Sequence, residues 1–217
     1  PLMLEFDIEK LSKLAHAKGA TVVVDNTFYS PIYQRPIEEG ADMVLHSATK
    51  YLAGHNDVLA GVVVTNSLGL YEKLFYNLNT TGAVLSPFDS YQLIRGLKTL
   101  SLRMERSTAN AQEIVAFLEH SPAVKEVLYT GRGGMISFKV ADEKRIPHIL
   151  NTLKVFSFAE SLGGVESLIT YPTTQTHADI PAEVRHSYGL TDDLLRLSIG
   201  IEDVRDLIED LRQALEG

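Results

Sequence analysis

Apolar residues recur at helical spacing near the start of the chain: Ile8, Leu11, Leu14 and Ala15 repeat every three or four positions, between Asp7 and Gly19. An aspartate can accept a hydrogen bond from the free amides at a helix start, and a glycine can take the left-handed conformation after its end. Together they predict a helix between them. The period then changes. Ala20 to Val24, Ala41 to Leu45 and Ala60 to Val64 are short apolar runs rich in β-branched residues, which predicts strands, the first two of them buried. A helix is expected over roughly Leu68 to Tyr76, a loop from Asn77 to Pro87, and then a long helical stretch opened by Asp89 and Ser90.

In that stretch the pattern Leu93, Ile94, Leu97, Leu100, Met104 breaks near Ser107 and Thr108, then resumes with Ile114, Val115, Phe117 and Leu118. A hinge is therefore expected near Ser107, dividing residues 1–106, part of a large domain, from a smaller domain over 107–217. Beyond it, Val124 to Tyr129 and Met135 to Val140 alternate like half-exposed strands, and Ile146 to Leu153 has helical spacing. Leu194 to Ile199 reads as a strand and Val204 to Leu215 as a closing helix. Helices alternating with apolar strands predict an α/β fold, in which polar residues just past the strand ends line the ligand crevice.

Two polar clusters occupy such positions. Asp25-Asn26 follows the first strand, and His46-Ser47-Ala48-Thr49-Lys50-Tyr51-Leu52 follows the second. A lysine held in a crevice can lose its proton and attack a carbonyl. Flanking hydroxyls such as Ser47 and Thr49 can donate to a phosphate on the same ligand, and an aspartate can pair with a protonated pyridine nitrogen. The plainer alternatives are a solvated strand exit for Ser-x-Thr-Lys and a turn or capping aspartate for Asp25. Arg196 lies inside an apolar strand pattern, where an unpaired charge is costly to bury, so a paired role outweighs a surface one.

Composition narrows the field. The chain has 217 residues, 45% hydrophobic and 22% charged, with a net charge of −8. Such an acidic balance argues against a nucleic-acid partner, because phosphate backbones need a basic face. No run approaches the length that spans a bilayer, so no membrane association is expected. The absence of cysteine leaves no disulfide framework, thiolate metal site or cysteine nucleophile, and is compatible with the cytoplasm. His46, His55 and His177 are not at zinc-ligand spacing, so no metal is expected.

The blocks Val24-Asp25-Asn26-Thr27-Phe28 and His46 through His55 resemble the Cys/Met-metabolism enzymes that use pyridoxal 5'-phosphate (PLP). Phe88-Asp89-Ser90-Tyr91, Arg95-Gly96-Leu97-Lys98-Thr99-Leu100, Ser161 through Ser167 and Leu195 through Glu202 continue that resemblance in order along nearly the whole chain. It implies the type I PLP-dependent transferase fold, aspartate-aminotransferase-like, with Lys50 linked covalently to PLP and shuttling protons. Asp25 would hold the pyridine nitrogen, Ser47 and Thr49 the phosphate, and Arg196 the substrate α-carboxylate. Ser161 would help orient lysine and substrate, and Glu166 matches a residue often present where γ-chemistry is done.

Gly54-His55-Asn56-Asp57 and Pro87-Phe88-Asp89-Ser90 look most like bacterial cystathionine γ-synthases and O-acetylhomoserine thiol-lyases. The resemblance therefore implies γ-replacement on an O-acylhomoserine by cysteine or sulfide. Cystathionine γ- or β-lyase chemistry is the alternative, and a non-catalytic homologue keeping only the fold is a second. The family's glycine-containing phosphate loop, stacking tyrosine and cross-subunit Tyr-x-Arg are not found, and Pro1-Leu2 resembles the tail of its Asn-Pro segment. These features lead to the expectation of a carboxyl-terminal fragment, inactive alone, whose partners are the amino-terminal half and the other subunits of a homotetramer.

Overall fold

A computed structural model describes residues 1–217. The chain divides into two compact units, Glu5–Ser101 and Pro1–Leu4 together with Leu102–Gly217.

The Glu5–Ser101 unit opens with α1, Ile8–His16, where Asp7 Oδ1 accepts from Lys10 N at 2.9 Å and Gly19 takes φ 70°. Three strands follow, β1 (Val23–Asp25), β2 (Met43–Ser47) and β3 (Gly61–Val64), with the short helix α2 (Ser30–Tyr33) between the first two. β1 pairs parallel with β2, opposing Asp25 to Leu45, and β3 joins the far side of β2 antiparallel. Contrary to the expectation of buried strands, Val23 is 46% exposed and Leu45 37%. Side chains alternate across a sheet, so these two share a face with Val63, itself 46% exposed, whereas Val44 and His46 on the opposite face are buried. No residue of α3, Leu68–Thr81, is buried, so that helix does not close the open face.

α3 runs five residues past the expected Tyr76 before Gly82 caps it in the left-handed conformation, and Ser86 rather than Asp89 caps α4, Pro87–Leu97. In α4 the Ser86 hydroxyl accepts from Asp89 N at 3.1 Å and proline occupies the first turn, where no amide is needed.

In the unit of Leu102–Gly217, α5 (Leu100–His120) continues unbroken through Ser107 and Thr108. The apolar pattern lapses there because the buried face carries hydrogen-bonding groups. Ser107 Oγ donates to Ile199 O at 2.6 Å, and Asn110 Nδ2 donates to Gly200 O at 3.2 Å and Glu202 O at 2.9 Å. The remaining strands are β4 (Val124–Leu128), β5 (Met135–Val140), β6 (Ser157–Phe158), β7 (Leu168–Thr170) and β8 (Leu194–Ser198). They form one sheet in the order β4-β5-β8-β7-β6, antiparallel except for β6 and β7. β5 and β8 are central, so β5 is almost wholly buried rather than half-exposed.

α6 (Ile146–Thr152) and α8 (Val204–Glu216) supply Ile146, Ile149, Leu207, Leu211 and Leu215 to the core. These pack with Ile114 and Leu118 of α5 and with Phe138, Leu195 and Leu197 of the sheet. Asp210, buried on α8, fixes the crossing chain by accepting from the amides of Lys154, Val155 and Phe156 at 2.8–3.0 Å. No helix is long and apolar enough to cross a membrane.

Candidate active site

The three-stranded sheet brings two of the sequence-predicted residues to one edge. Asp25 ends β1 and Ser47 ends β2, the strands run parallel, and the pleat puts both side chains on the same face. Carboxylate and hydroxyl thus stand side by side at the carboxyl ends of neighbouring parallel strands, where α/β sheets bind ligands. Asp25 Oδ1 accepts from both Thr27 N at 3.0 Å and Thr27 Oγ1 at 2.6 Å. Thr27 Oγ1 in turn accepts from Ser47 N at 2.8 Å.

Asn26 secures the turn beneath. Buried, it donates from Nδ2 to Ser30 O at 3.1 Å and Gln34 O at 2.8 Å, while its own amide bonds Leu45 O at 2.9 Å. Ser30, fully buried, sits at φ 52°, a costly conformation for a residue with a Cβ, and these bonds hold it there. The sequence places Asn26 and Thr27 in a block that resembles the family, and nothing in their spacing shows that they tie two strand ends together.

Beyond Ser47 the chain makes one wide turn, Ala48–Leu52, in which Ala53 N reaches back five residues to Ala48 O at 2.9 Å. Lys50 interrupts it, at φ −89° and ψ −127°, and is half-buried. Single π-type turns of this kind occur disproportionately at functional sites. Ser47 does not cap the turn with its side chain, which leaves its hydroxyl for another partner. The Thr49 hydroxyl accepts from Ala60 N at 3.0 Å and donates to Ala60 O at 3.3 Å, a long bond that pins the turn to the start of β3.

Burial pushes the His46 imidazole below the usual histidine pKa, against the opposing pull of the Asn26 backbone and the Asp25 charge. His46 is therefore a neutral packing residue under the strand end. His55 Nδ1 is 2.8 Å from Ala53 O, closing the loop after the turn.

Gly96 explains part of the Arg95-Gly96-Leu97 block. A Cβ there would overlap the Ala53 carbonyl oxygen and lie 2.9 Å from Ala53 C, so α4 can approach the Lys50 turn only through a glycine. Gly96→Ala is expected to destabilise this unit by about 1–3 kcal/mol, the usual cost of overpacking, and to weaken cofactor binding by displacing the turn. Thermal melts with and without PLP would show both effects.

The other predicted residues lie in the Leu102–Gly217 unit. Arg196, on β8, is buried to 5% exposure and its Nη2 donates to Glu160 O at 3.0 Å and Thr170 Oγ1 at 3.3 Å. Both acceptors help to orient the guanidinium on the strand. Burial, followed by the charges of neighbouring groups including Arg196 and Arg185, lowers the His177 pKa. Ser161 is half-buried and Glu166 exposed, at either end of the loop joining Glu160 to Ser167.

That loop is anchored to the end of β8. Gly163 N donates to Ser198 Oγ at 2.8 Å, Ser167 donates through N and Oγ to the two carboxylate oxygens of Glu202, and Gly200 N donates to Ser167 Oγ at 2.9 Å. The blocks Ser161 to Ser167 and Leu195 to Glu202 are therefore two halves of one hydrogen-bonded structure. Ser167, Ser198 and Glu202 position the loop, roles that the sequence pattern leaves unmarked.

The chain is 57% identical over 215 residues to a cystathionine gamma-synthase/O-acetylhomoserine (thiol)-lyase of Bacillus subtilis, covering 99% of this chain and 58% of that protein. It is 49% identical over 232 residues to a cystathionine gamma-lyase of the same organism, covering all of this chain and 61% of the relative. A crystal structure of cystathionine gamma synthase from Xanthomonas oryzae pv. oryzae in complex with cystathionine superposes with a TM-score of 0.96 at 41% identity. That match covers 100% of this chain and 60% of the solved one. The chain thus spans about three-fifths of the length of these relatives. Its fold is that of the type I PLP-dependent enzymes. With residues 1–216 matching the description "Cys/Met metabolism PLP-dependent enzyme", the chain belongs to that family.

Proposed function

We propose that this chain is the carboxyl-terminal part of a PLP-dependent trans-sulfuration enzyme that exchanges the acyl group of an O-acylhomoserine for cysteine or sulfide at the γ-carbon. The observation that carries the reading is the placement of Asp25, Ser47 and the Lys50 turn at one end of a parallel strand pair, in a chain 57% identical to a synthase of this type.

The residues present fit the cofactor. Asp25 has one oxygen saturated by Thr27, which leaves the other to face a pyridinium nitrogen. Ser47 Oγ would donate to the phosphate, and the Thr49 proton, held at 3.3 Å by Ala60 O, would be available to the same group. Bound PLP supplies an electron sink for negative charge developing on the substrate. Lys50 Nζ, on its flexible stem, would take the α-proton, pass it on and then take a β-proton, so that the acyl group leaves the γ-carbon as a carboxylate with its electron pair; cysteine or sulfide then adds at that carbon and the two protons are returned. Arg196 takes the substrate α-carboxylate in a two-pronged, charge-assisted pair, with Ser161 and Glu166 flanking the amino-acid chain. The amino-terminal part of the polypeptide and the other subunits of a homotetramer complete the site, in the cytoplasm.

A second reading, cystathionine cleavage, is favoured by the 49% identity to a cystathionine gamma-lyase. Steady-state assays of the complete polypeptide separate the two. Turnover of O-acetylhomoserine or O-succinylhomoserine with cysteine, at a kcat/KM at least about tenfold above that for cystathionine cleavage, supports the synthase. The reverse ratio replaces it with the lyase.

A further inference from the structure

We propose that Thr27 is a positioning residue that couples the pyridine-binding carboxylate to the phosphate-binding turn. This inference rests on the reading of Asp25 and Ser47 as cofactor ligands and assigns a task to a residue outside that set.

A threonine hydroxyl has one proton and two lone pairs. Here the proton goes to Asp25 Oδ1 at 2.6 Å, and a lone pair receives Ser47 N at 2.8 Å. Thr27 is nearly buried, at 9% exposure, so little water is at hand to replace either bond. The hydroxyl therefore sets the distance between the end of β1 and the first residue before the Lys50 turn. It also selects which carboxylate oxygen is turned inward: with Thr27 N at 3.0 Å on the same Oδ1, the other oxygen is presented to a ligand. One hydroxyl thus aligns two groups that must reach opposite ends of the same cofactor.

Thr27→Val keeps the shape and removes both bonds, whereas Thr27→Ser keeps both bonds and removes a methyl. In the holoenzyme of the complete polypeptide, Thr27→Val is expected to raise the PLP dissociation constant at least about tenfold, as for loss of a hydrogen bond to a charged group. The pH at which bound-cofactor absorbance titrates should move by about one unit, since Asp25 would no longer be aimed at the ring nitrogen. Thr27→Ser should restore affinity to within about threefold and return the titration to its wild-type position. If Thr27→Val does not fold, Thr27→Ala is read in its place.

A merely structural threonine would lower the melting temperature of the PLP-free protein while leaving dissociation constant and titration unchanged. That result overturns the proposal, as does a serine variant that behaves like valine. Failure of the underlying reading looks different: borohydride treatment of the wild type followed by mass spectrometry would then find no PLP on Lys50.

Discussion

Replacing Lys50 with alanine is expected to lower kcat of the complete enzyme at least about a thousandfold, because proton transfer by a positioned side chain alone contributes 10²–10⁴-fold and this lysine also anchors the cofactor. Lys50 is half-buried in a turn whose fixed points are Ala48, Tyr51 and Leu52, all buried, so the alanine variant should melt near the wild-type temperature. The loss is then chemical rather than conformational. Lysine-to-arginine substitution should do no better, since a guanidinium keeps its proton at any working pH. Borohydride followed by mass spectrometry should mark Lys50 in the wild type and nothing in the variants. Retention of more than about a tenth of kcat by Lys50→Ala would remove this residue from the chemistry.

Arg196 gives the second large effect, on a different parameter. Thr170 Oγ1 and Glu160 O fix one guanidinium nitrogen, which sets the plane of the fork on a buried strand. A carboxylate meeting that fork gains hydrogen bonds to a charged group, worth roughly 1.5–3 kcal/mol each. Arg196→Lys keeps the charge and loses the plane, so KM for the amino-acid substrate should rise about 10- to 100-fold while kcat falls less. The control is a substrate whose α-carboxylate is an amide: wild type and variant should handle it almost equally. If the amide shows the same ratio as the acid, Arg196 acts through packing and the carboxylate lies elsewhere.

Elements with a cap and a clean period were legible before any coordinates. Asp7 and Gly19 bracket α1 as their chemistry requires, and the polar residues after β1 and β2 do stand at a common sheet edge. What misled was polarity used for packing. Ser107 and Asn110 face into the protein to bond Ile199, Gly200 and Glu202, and a pattern built on apolar side chains reads such a face as an interruption. β6 and β7, two and three residues long within a glycine-containing segment, carry too few positions to display any period. Depth of burial was hidden for a related reason: strands β1 and β2 are apolar on both faces in sequence, yet one face stays open within this chain.

The chemistry was more legible than its supports. Lys50, Asp25 and Arg196 announce themselves as charges in apolar surroundings. Thr27, Ser167 and Glu202 do not, because a hydroxyl in a turn and an acid after a strand are ordinary until their partners are seen.

The wide turn before Ala53 bears on how this stretch tolerates changes in length. Its closing bond spans five residues from Ala48 O, and Ala53 is pressed against Gly96 of α4, so both ends of the interval are fixed in space. Between fixed ends the number of residues decides where each side chain points. Loss or gain of a single residue between Ser47 and Ala53 would therefore swing the amine of Lys50 away from the strand end while leaving composition almost untouched. The connection between the caps Gly82 and Ser86, largely exposed and outside any helix, can absorb the same change. Insertions and deletions, more than substitutions, should mark the limits of this site.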